Sequence, residues 1–136
     1  MVSELSTVAF LRFTDERGSL GVAELQPLLA FPVKRVFWIY DVARDATRGG
    51  HAHKRCNQFL ICLTGLVSVE AFDGVSNRAL ALPAGSGVHI PPAIYATERF
   101  DAEGSLLAVL CDLPFDKDDY IYDRSELVAF RSRSKP

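Results

Sequence analysis

Short apolar or alternating runs, separated by turn residues, dominate the hydrophobic pattern of this chain. The clearest runs are residues 33–42 (VKRVFWIYDV), 58–63 (QFLICL), 66–72 (LVSVEAF) and 105–111 (SLLAVLC). These runs are rich in β-branched and aromatic residues and are bounded by glycine, proline or polar turn residues, which is typical of β-strands. Weaker strands are predicted at residues 8–13, 20–25, 78–82 and 88–90, with turns at 15–18, 64–65, 73–74 and 83–87.

Helical periodicity is scarce in the same pattern. Residues 26–32 contain two prolines and predict a loop or one helical turn, and residues 124–130 predict a short C-terminal helical turn. Residues 45–50 predict a loop because of the Gly49-Gly50 pair, and the small basic residues 131–136 predict a frayed end. Strands that recur with a turn every 8 to 12 residues predict an all-β sandwich or barrel.

Length and composition restrict the class of protein. The 136 residues predict a single domain, 1–136, with its core at about residues 8–130. A net charge of -2 argues against nucleic-acid binding, and no apolar run approaches the roughly 20 residues that span a bilayer. The N-terminus lacks the basic start and apolar core of a signal peptide, so we expect no membrane association and a cytoplasmic location.

The three cysteines point to the same location. Cys56, Cys62 and Cys111 form an odd number without CxxC spacing, which is typical of reduced thiols in a cytosolic protein. Cys62 and Cys111 lie in apolar runs and are expected to be small core residues.

Two histidines carry the main chemical signal. His51 and His53 are one residue apart, and in a strand such side chains point the same way, with Cα atoms about 6.6 Å apart. Two imidazoles are therefore predicted to converge on one pocket, where they could bind a metal or transfer protons.

Two motifs resemble those of cupins. In residues 51–65 the pattern is HxHx4Qx6G, with Gln58 where cupins usually have glutamate. In residues 85–96 the pattern is Gx5PxAx2A, with Ala96 in place of the closing histidine. The resemblance implies a double-stranded β-helix, the cupin jelly roll. It also leaves only two good donors where a metal cupin has four, so we expect no metal and no other cofactor.

Four segments are similar to one cupin branch, the sugar 3,4-ketoisomerases. They are residues 15–20 (DERGSL), 31–36 (FPVKRV), 48–54 (RGGHAHK) and 119–121 (DYI). The similarity spans roughly residues 11–130. It implies an isomerase that moves the keto group of a dTDP-linked 4-keto-6-deoxy sugar from C4 to C3, in pathways to deoxysugars such as those of lipopolysaccharide O-antigens. Such small cupins pair through exposed strand edges, which implies a homodimer.

The two histidines suit this reaction because an imidazole exchanges protons near neutral pH. One histidine would remove and return the carbon-bound proton by way of an enediol intermediate, and the other would exchange protons with the sugar oxygens. The sequence does not distinguish the two roles. Three alternatives stay open: histidines that only make hydrogen bonds inside a barrel, a non-catalytic cupin that binds a nucleotide sugar, and a metal-dependent cupin enzyme.

Arginines and an amide are the predicted polar contacts to substrate. Arg17 and Arg48 each precede a glycine and could pair with a diphosphate. Gln58 could orient a sugar hydroxyl or a histidine, or serve as a buried polar anchor. The neighbouring cations Lys34 and Arg35 could also contact substrate, but outward-facing charges on a strand are the favoured interpretation.

Aromatic residues complete the predicted site. Trp38 and Tyr40 share a strand face and could wall the pocket or stack a base, although two such aromatics are more often core. The ketoisomerases commonly have a Tyr pair where this chain has Phe37 and Trp38, and often Trp-His where it has Tyr95 and Ala96. These departures remove polar groups near the expected site and leave open that Tyr40 or Tyr95 supplies the missing hydroxyl.

Overall fold

The computed structural model describes residues 1–134, which form two five-stranded β-sheets, a separate hairpin and two helices. The strands are β1 (Thr7–Ala9), β2 (Leu11–Asp15), β3 (Gly18–Val22), β4 (Arg35–Ile39), β5 (Thr47–His53), β6 (Gln58–Thr64), β7 (Leu66–Phe72), β8 (Asn77–Pro83), β9 (Ser86–Ile90), β10 (Tyr95–Phe100), β11 (Leu106–Cys111) and β12 (Tyr120–Ile121). The helices are α1 (Leu25–Leu28) and α2 (Arg124–Ser134), and 3-10 turns occur at Val2–Glu4 and Lys117–Asp119.

The strand order is that of a two-sheet jelly roll. One sheet has the order β1-β9-β6-β11-β4 and the other β12-β5-β10-β7-β8. Neighbouring strands pair antiparallel, and one large apolar cluster draws residues from both sheets. This arrangement confirms the all-β cupin fold predicted from the sequence.

Burial along individual strands explains their hydrophobic patterns. In β7 the inner residues Val67, Val69 and Ala71 are buried and alternate with more exposed residues, because only one face of this strand meets the core. In β6 the first five residues are all buried, since Phe59 and Ile61 on the outer face pack against residues that include Leu28 and Leu29 of the α1 region. A strand that is covered on both faces has a continuous apolar sequence instead of an alternating one.

One strand next to the predicted site was not anticipated, and the predicted histidine strand begins earlier than expected. β10 was missed because its inner positions include a charged residue, Glu98, so the usual alternation is absent. β5 begins at Thr47 and contains the predicted loop: Gly49 and Gly50, with φ of 82° and 81°, form an irregularity at which the register with β10 shifts.

The C-terminal segment is more regular than expected. Residues 131–134 continue α2, and Arg131 Nε donates a hydrogen bond to the Ala93 carbonyl at 2.8 Å, so the predicted frayed end is wrong for these residues. Residues 135–136, the rest of that prediction, lie outside the described residues.

Two sequence expectations concern thiols and membranes. Cys56, Cys62 and Cys111 are free and buried, and the last two lie in the core as predicted. Among residues 1–134, no helix is long and apolar enough to cross a membrane.

Candidate functional site

The inner face of β5 brings the two predicted histidines together. His51 and His53 have ring centroids 5.1 Å apart in an edge-to-face arrangement. The ring of His51 is half-buried, whereas His53 is only 5% exposed. The intervening Ala52 faces the opposite side, where it packs against Leu127 of α2. Alternation along the strand therefore gives the convergence that the HxH spacing predicts.

A buried carboxylate fixes the orientation of His53. Asp119 Oδ2 lies 2.9 Å from His53 Nδ1, and the Asp119 side chain also accepts hydrogen bonds from the backbone N–H groups of Arg55 and Cys56. Because a carboxylate only accepts hydrogen bonds, Nδ1 carries the hydrogen and Nε2 carries the lone pair. Within residues 1–134, Nε2 is buried and has no hydrogen-bond partner.

Burial keeps both imidazoles in the basic form. Desolvation and the neighbouring His53 lower the pKa of His51 to about 4, and the hydrogen bond of the His51 ring to the backbone of Gly49 only partly opposes this. Desolvation also lowers the pKa of His53, although Asp119 opposes the shift. Two neutral imidazoles at neutral pH can accept protons.

Aromatic rings from the C-terminal region border the imidazoles. The Tyr120 ring centroid lies 4.9 Å from that of His51 and 4.5 Å from that of His53. Tyr122 stacks on Tyr120 at 5.5 Å, and Phe115 lies 5.8 Å from Tyr120; both of these outer rings are mostly exposed. The site therefore has an aromatic platform that is open to solvent, and the sequence analysis did not predict it.

Arg35 is a residue for which the favoured interpretation of the sequence was wrong. It pairs with Cys111 across β4 and β11, and since Cys111 lies in the core, Arg35 points inward rather than to solvent. Its guanidinium group donates a hydrogen bond to the Tyr120 hydroxyl and lies 5.4 Å from the Phe37 ring centroid. Its Nε is buried without a partner among the described residues.

Of two more predicted residues, one is buried in the barrel and the other is exposed. Gln58 pairs with the core residues Cys111 and Ile90 across β6, and its amide contacts Cys111 Sγ at 3.7 Å. Arg48 is exposed and lies directly across from Glu98 in the β5–β10 register. Arg48 is on the histidine strand β5, whereas Gln58 is on β6 of the other sheet.

The other four predicted residues lie elsewhere. Arg17 is at the exposed turn of the separate β2–β3 hairpin, where it pairs with Asp15 at 2.7 Å. Trp38 and Tyr40 are 59% and 58% exposed, so they are not core. They line a cavity on the outer side of the sheet, and neither His51 nor His53 lines it. Tyr95 packs with Leu127 and other residues under α2, on the face opposite to His51.

The donor set does not suit a cupin metal centre. Ala96, the residue across from His51, offers no ligand atom, and Gln58 contacts a thiol. A different set, His53, Cys56 and Asp119, has ligand atoms within 4.8 Å of one another. There, burial raises the pKa of Cys56 to about 12, and the Asp119 oxygens already accept three hydrogen bonds. A metal would have to deprotonate this thiol and displace those bonds.

Comparisons with known proteins agree with this geometry. Residues 3–132 match the family model described as "FdtA: WxcM-like, C-terminal". The TDP-4-oxo-6-deoxy-alpha-D-glucose-3,4-oxoisomerase of Aneurinibacillus thermoaerophilus is 32% identical over 119 residues, which cover 87% of this chain and 86% of that protein.

Solved structures of one ketoisomerase are also similar. QdtA of Thermoanaerobacterium thermosaccharolyticum, a sugar 3,4-ketoisomerase in complex with TDP, is 29% identical, with a TM-score of 0.86 over 99% of this chain and 100% of that one. Its histidine-to-asparagine variant in complex with TDP-4-keto-6-deoxyglucose gives a TM-score of 0.87 at 28% identity, with 98% of each chain covered. The chain therefore belongs to the FdtA, WxcM-like C-terminal family, the cupin-fold family of the dTDP-sugar 3,4-ketoisomerases.

Proposed function

We propose that this protein is a metal-independent isomerase that moves the keto group of a dTDP-linked 4-keto-6-deoxy sugar from C4 to C3. The observation that carries the proposal is the state of His53: its Nδ1 is held by Asp119, while its Nε2 is buried, unpartnered and next to His51. An imidazole that is oriented in this way can act as a general base through its free Nε2 lone pair. The named activities of the relatives support the choice of reaction.

The reaction needs proton transfers at two neighbouring carbons. The hydrogen on C3 is acidic because it is α to the C4 carbonyl, so a base can remove it to give an enediol. Return of a proton to C4, with loss of the O3 proton, completes the shift of the keto group. In this proposal His53 Nε2 takes the C3 proton and delivers a proton to C4, while His51 exchanges protons with the oxygens.

The surroundings of the pair suggest how the substrate binds. Tyr120 contacts both imidazoles, and the exposed rings of Tyr122 and Phe115 could stack on the nucleobase or the sugar. Arg35 supplies an inward cation beside Tyr120, and burial raises the pKa of Tyr120, although Arg35 opposes this, so its hydroxyl stays protonated. Gln58 and Arg48 remain proposed contacts to the sugar and the diphosphate.

The exposed hairpin supports a homodimer. Leu11, Phe13 and Leu20 of β2 and β3 are 65%, 58% and 62% exposed, which is unusual for three large apolar side chains on one small sheet. We propose that this hairpin packs on a second copy of the chain. Arg17, at the turn of the hairpin, could then reach a substrate only in the partner copy. We also propose that the chain acts as a single domain in the cytoplasm, where its buried cysteines stay reduced.

Incubation with dTDP-4-keto-6-deoxyglucose in heavy water tests the proposed reaction. Nuclear magnetic resonance spectra should show a 3-keto product, with deuterium on the ring carbons that exchange protons. The same conversion should persist after treatment with a chelator and after metal analysis shows no stoichiometric transition metal. Conversion at the wild-type rate in both single variants, His51→Asn and His53→Asn, would contradict the histidine mechanism, and loss of activity on chelation would contradict metal independence.

A further inference from the structure

Three buried polar atoms in the described part of the chain lack a hydrogen-bond partner: Arg35 Nε, His53 Nε2 and Glu98 Oε2. Such atoms are rare in folded proteins, because each costs free energy unless a ligand or water satisfies it. Arg35 and His53 belong to the site described above. Glu98 is the third member, and neither the sequence analysis nor the proposed mechanism gives it a role.

The strand register places Glu98 on the same inner face as His51. Ala96 is directly across from His51, and Glu98 is two residues further along β10, so its side chain points to the same side. Its cross-strand neighbour on β7 is Val69, which lies in the apolar core with Ala96. Glu98 is only 8% exposed and therefore points into the barrel, not to solvent.

The glycine irregularity in β5 makes room for this carboxyl group. Gly49 lies so close to Glu98 that a Cβ atom at this position would overlap Oε2. The backbone of the same glycine accepts the hydrogen bond from the His51 ring. The carboxyl group therefore lies against the segment that orients His51, and the residue across from His51, two positions from Glu98 on β10, is the small Ala96.

The surroundings of Glu98 favour its neutral form. Burial raises the pKa of Glu98 to about 8, an effect that its own backbone N–H and the positive charge of Arg48 only partly oppose. Arg48 faces the carboxyl group from β5, where His51 is the next ionisable inner residue, whereas β7 presents Val69 and β10 presents Ala96 and Phe100. At neutral pH the group thus keeps a proton that it can donate.

We propose that Glu98 is a third catalytic residue, whose carboxyl group forms a hydrogen bond with the sugar oxygen that gains negative charge as the enediol forms. This inference rests on the proposed isomerase function. A neutral carboxylic acid held in apolar surroundings can stabilise an enolate oxygen in this way, because its donor is already oriented and no water competes. The sugar oxygen would also satisfy the buried Oε2 group.

Steady-state kinetics of the full-length protein with dTDP-4-keto-6-deoxyglucose, measured from pH 6 to 9.5, test this role. Glu98→Gln keeps a donor but no acid, so kcat at pH 7 should fall about 10-fold with KM nearly unchanged; Glu98→Leu should lose roughly 10²-fold. In the wild type, kcat should decline as pH rises through about 8, since ionised Glu98 cannot donate, and this decline should be absent in Glu98→Gln.

Glu70→Gln is the matched control, because Glu70 is an exposed glutamate on the neighbouring strand β7. It should keep the wild-type kcat and the wild-type pH profile. Wild-type kcat in Glu98→Gln, or an alkaline decline that persists in that variant, would overturn the role of Glu98 while leaving the isomerase intact. If the wild type itself converts no substrate, the proposed function fails and the role of Glu98 fails with it.

Discussion

Two regions of the molecule depart from the usual rule that apolar residues are buried and polar residues exposed. The inner face of β5 and β10 buries polar residues, whereas the β2–β3 hairpin exposes apolar ones. The barrel interior holds buried polar groups, His53 and Glu98, that lack partners for one nitrogen and one oxygen. The hairpin instead exposes the large apolar side chains of Phe13 and Leu20. Either arrangement costs free energy in an isolated chain. In line with the proposed isomerase and the proposed dimer, we interpret the polar interior as a binding site for a polar ligand and the hairpin as a surface for an apolar partner.

The largest expected effect comes from removing the interior base. His53→Asn should lower kcat by about 10³-fold, because a general base contributes this much to proton abstraction. His89→Asn is the matched control, since His89 hydrogen-bonds to Asn57 and its ring lies 5.4 Å from that of Phe31 in a tilted arrangement. Progress curves followed by nuclear magnetic resonance measure both variants. Equal losses in the two variants would mean that the effect is structural rather than catalytic.

A smaller loss is expected when the histidine stays but its orienting carboxylate is neutralised. Asp119→Asn should lower kcat about 10²-fold, because the amide no longer fixes the Nδ1–H tautomer of His53. Asp119 also raises the pKa of His53, so the acid side of the kcat profile should move to lower pH in the variant. Asp118→Asn, at the exposed neighbouring position, should behave as wild type. An unchanged kcat in Asp119→Asn would argue that His53 is not the base.

Substitutions in the hairpin are expected to affect activity less than substitutions in the interior do, and to affect dimerisation more. The double variant Phe13→Asp with Leu20→Asp should convert the proposed dimer to a monomer, because two charges replace apolar contact area. Activity should fall about 10-fold if Arg17 of the second copy binds the diphosphate. Light scattering after gel filtration measures the mass, and Val75→Asp, at a 77% exposed apolar position, is the control. A wild type that is monomeric at micromolar concentration would contradict the dimer.

The smallest expected effect is on stability, through the buried carboxyl group. The pKa of Glu98 is about 8 in the folded state, against its usual 4.5. As pH rises between these values, the unfolded chain loses the proton while the folded chain keeps it, so stability falls through this window and levels off above about 8. Glu98→Gln removes this pH-dependent loss of stability and should raise the Tm relative to wild type by roughly 5–10 °C at pH 8.5. Thermal unfolding at pH 5 and pH 8.5 checks this, and a constant Tm difference would contradict it.

Strong local patterns made much of the fold predictable. The strands β6, β7 and β11 were recognised because their apolar runs are long and their bounds carry turn residues. The convergence of His51 and His53 followed from alternation along a single strand. β10 was not predicted because Glu98 interrupts its inner apolar positions. The same residue is the one to which we assign a chemical role.

The sequence by itself determined the all-β architecture and the pairing of two imidazoles, since both depend on neighbours within a few residues. Only the tertiary structure decided that Asp119 orients His53 across 66 positions, that Arg35 points inward, and that Trp38 and Tyr95 face away from the site. The physical reason is that the face of a strand is set by what packs against it. That information lies in strand register and sheet order, which local alternation does not contain.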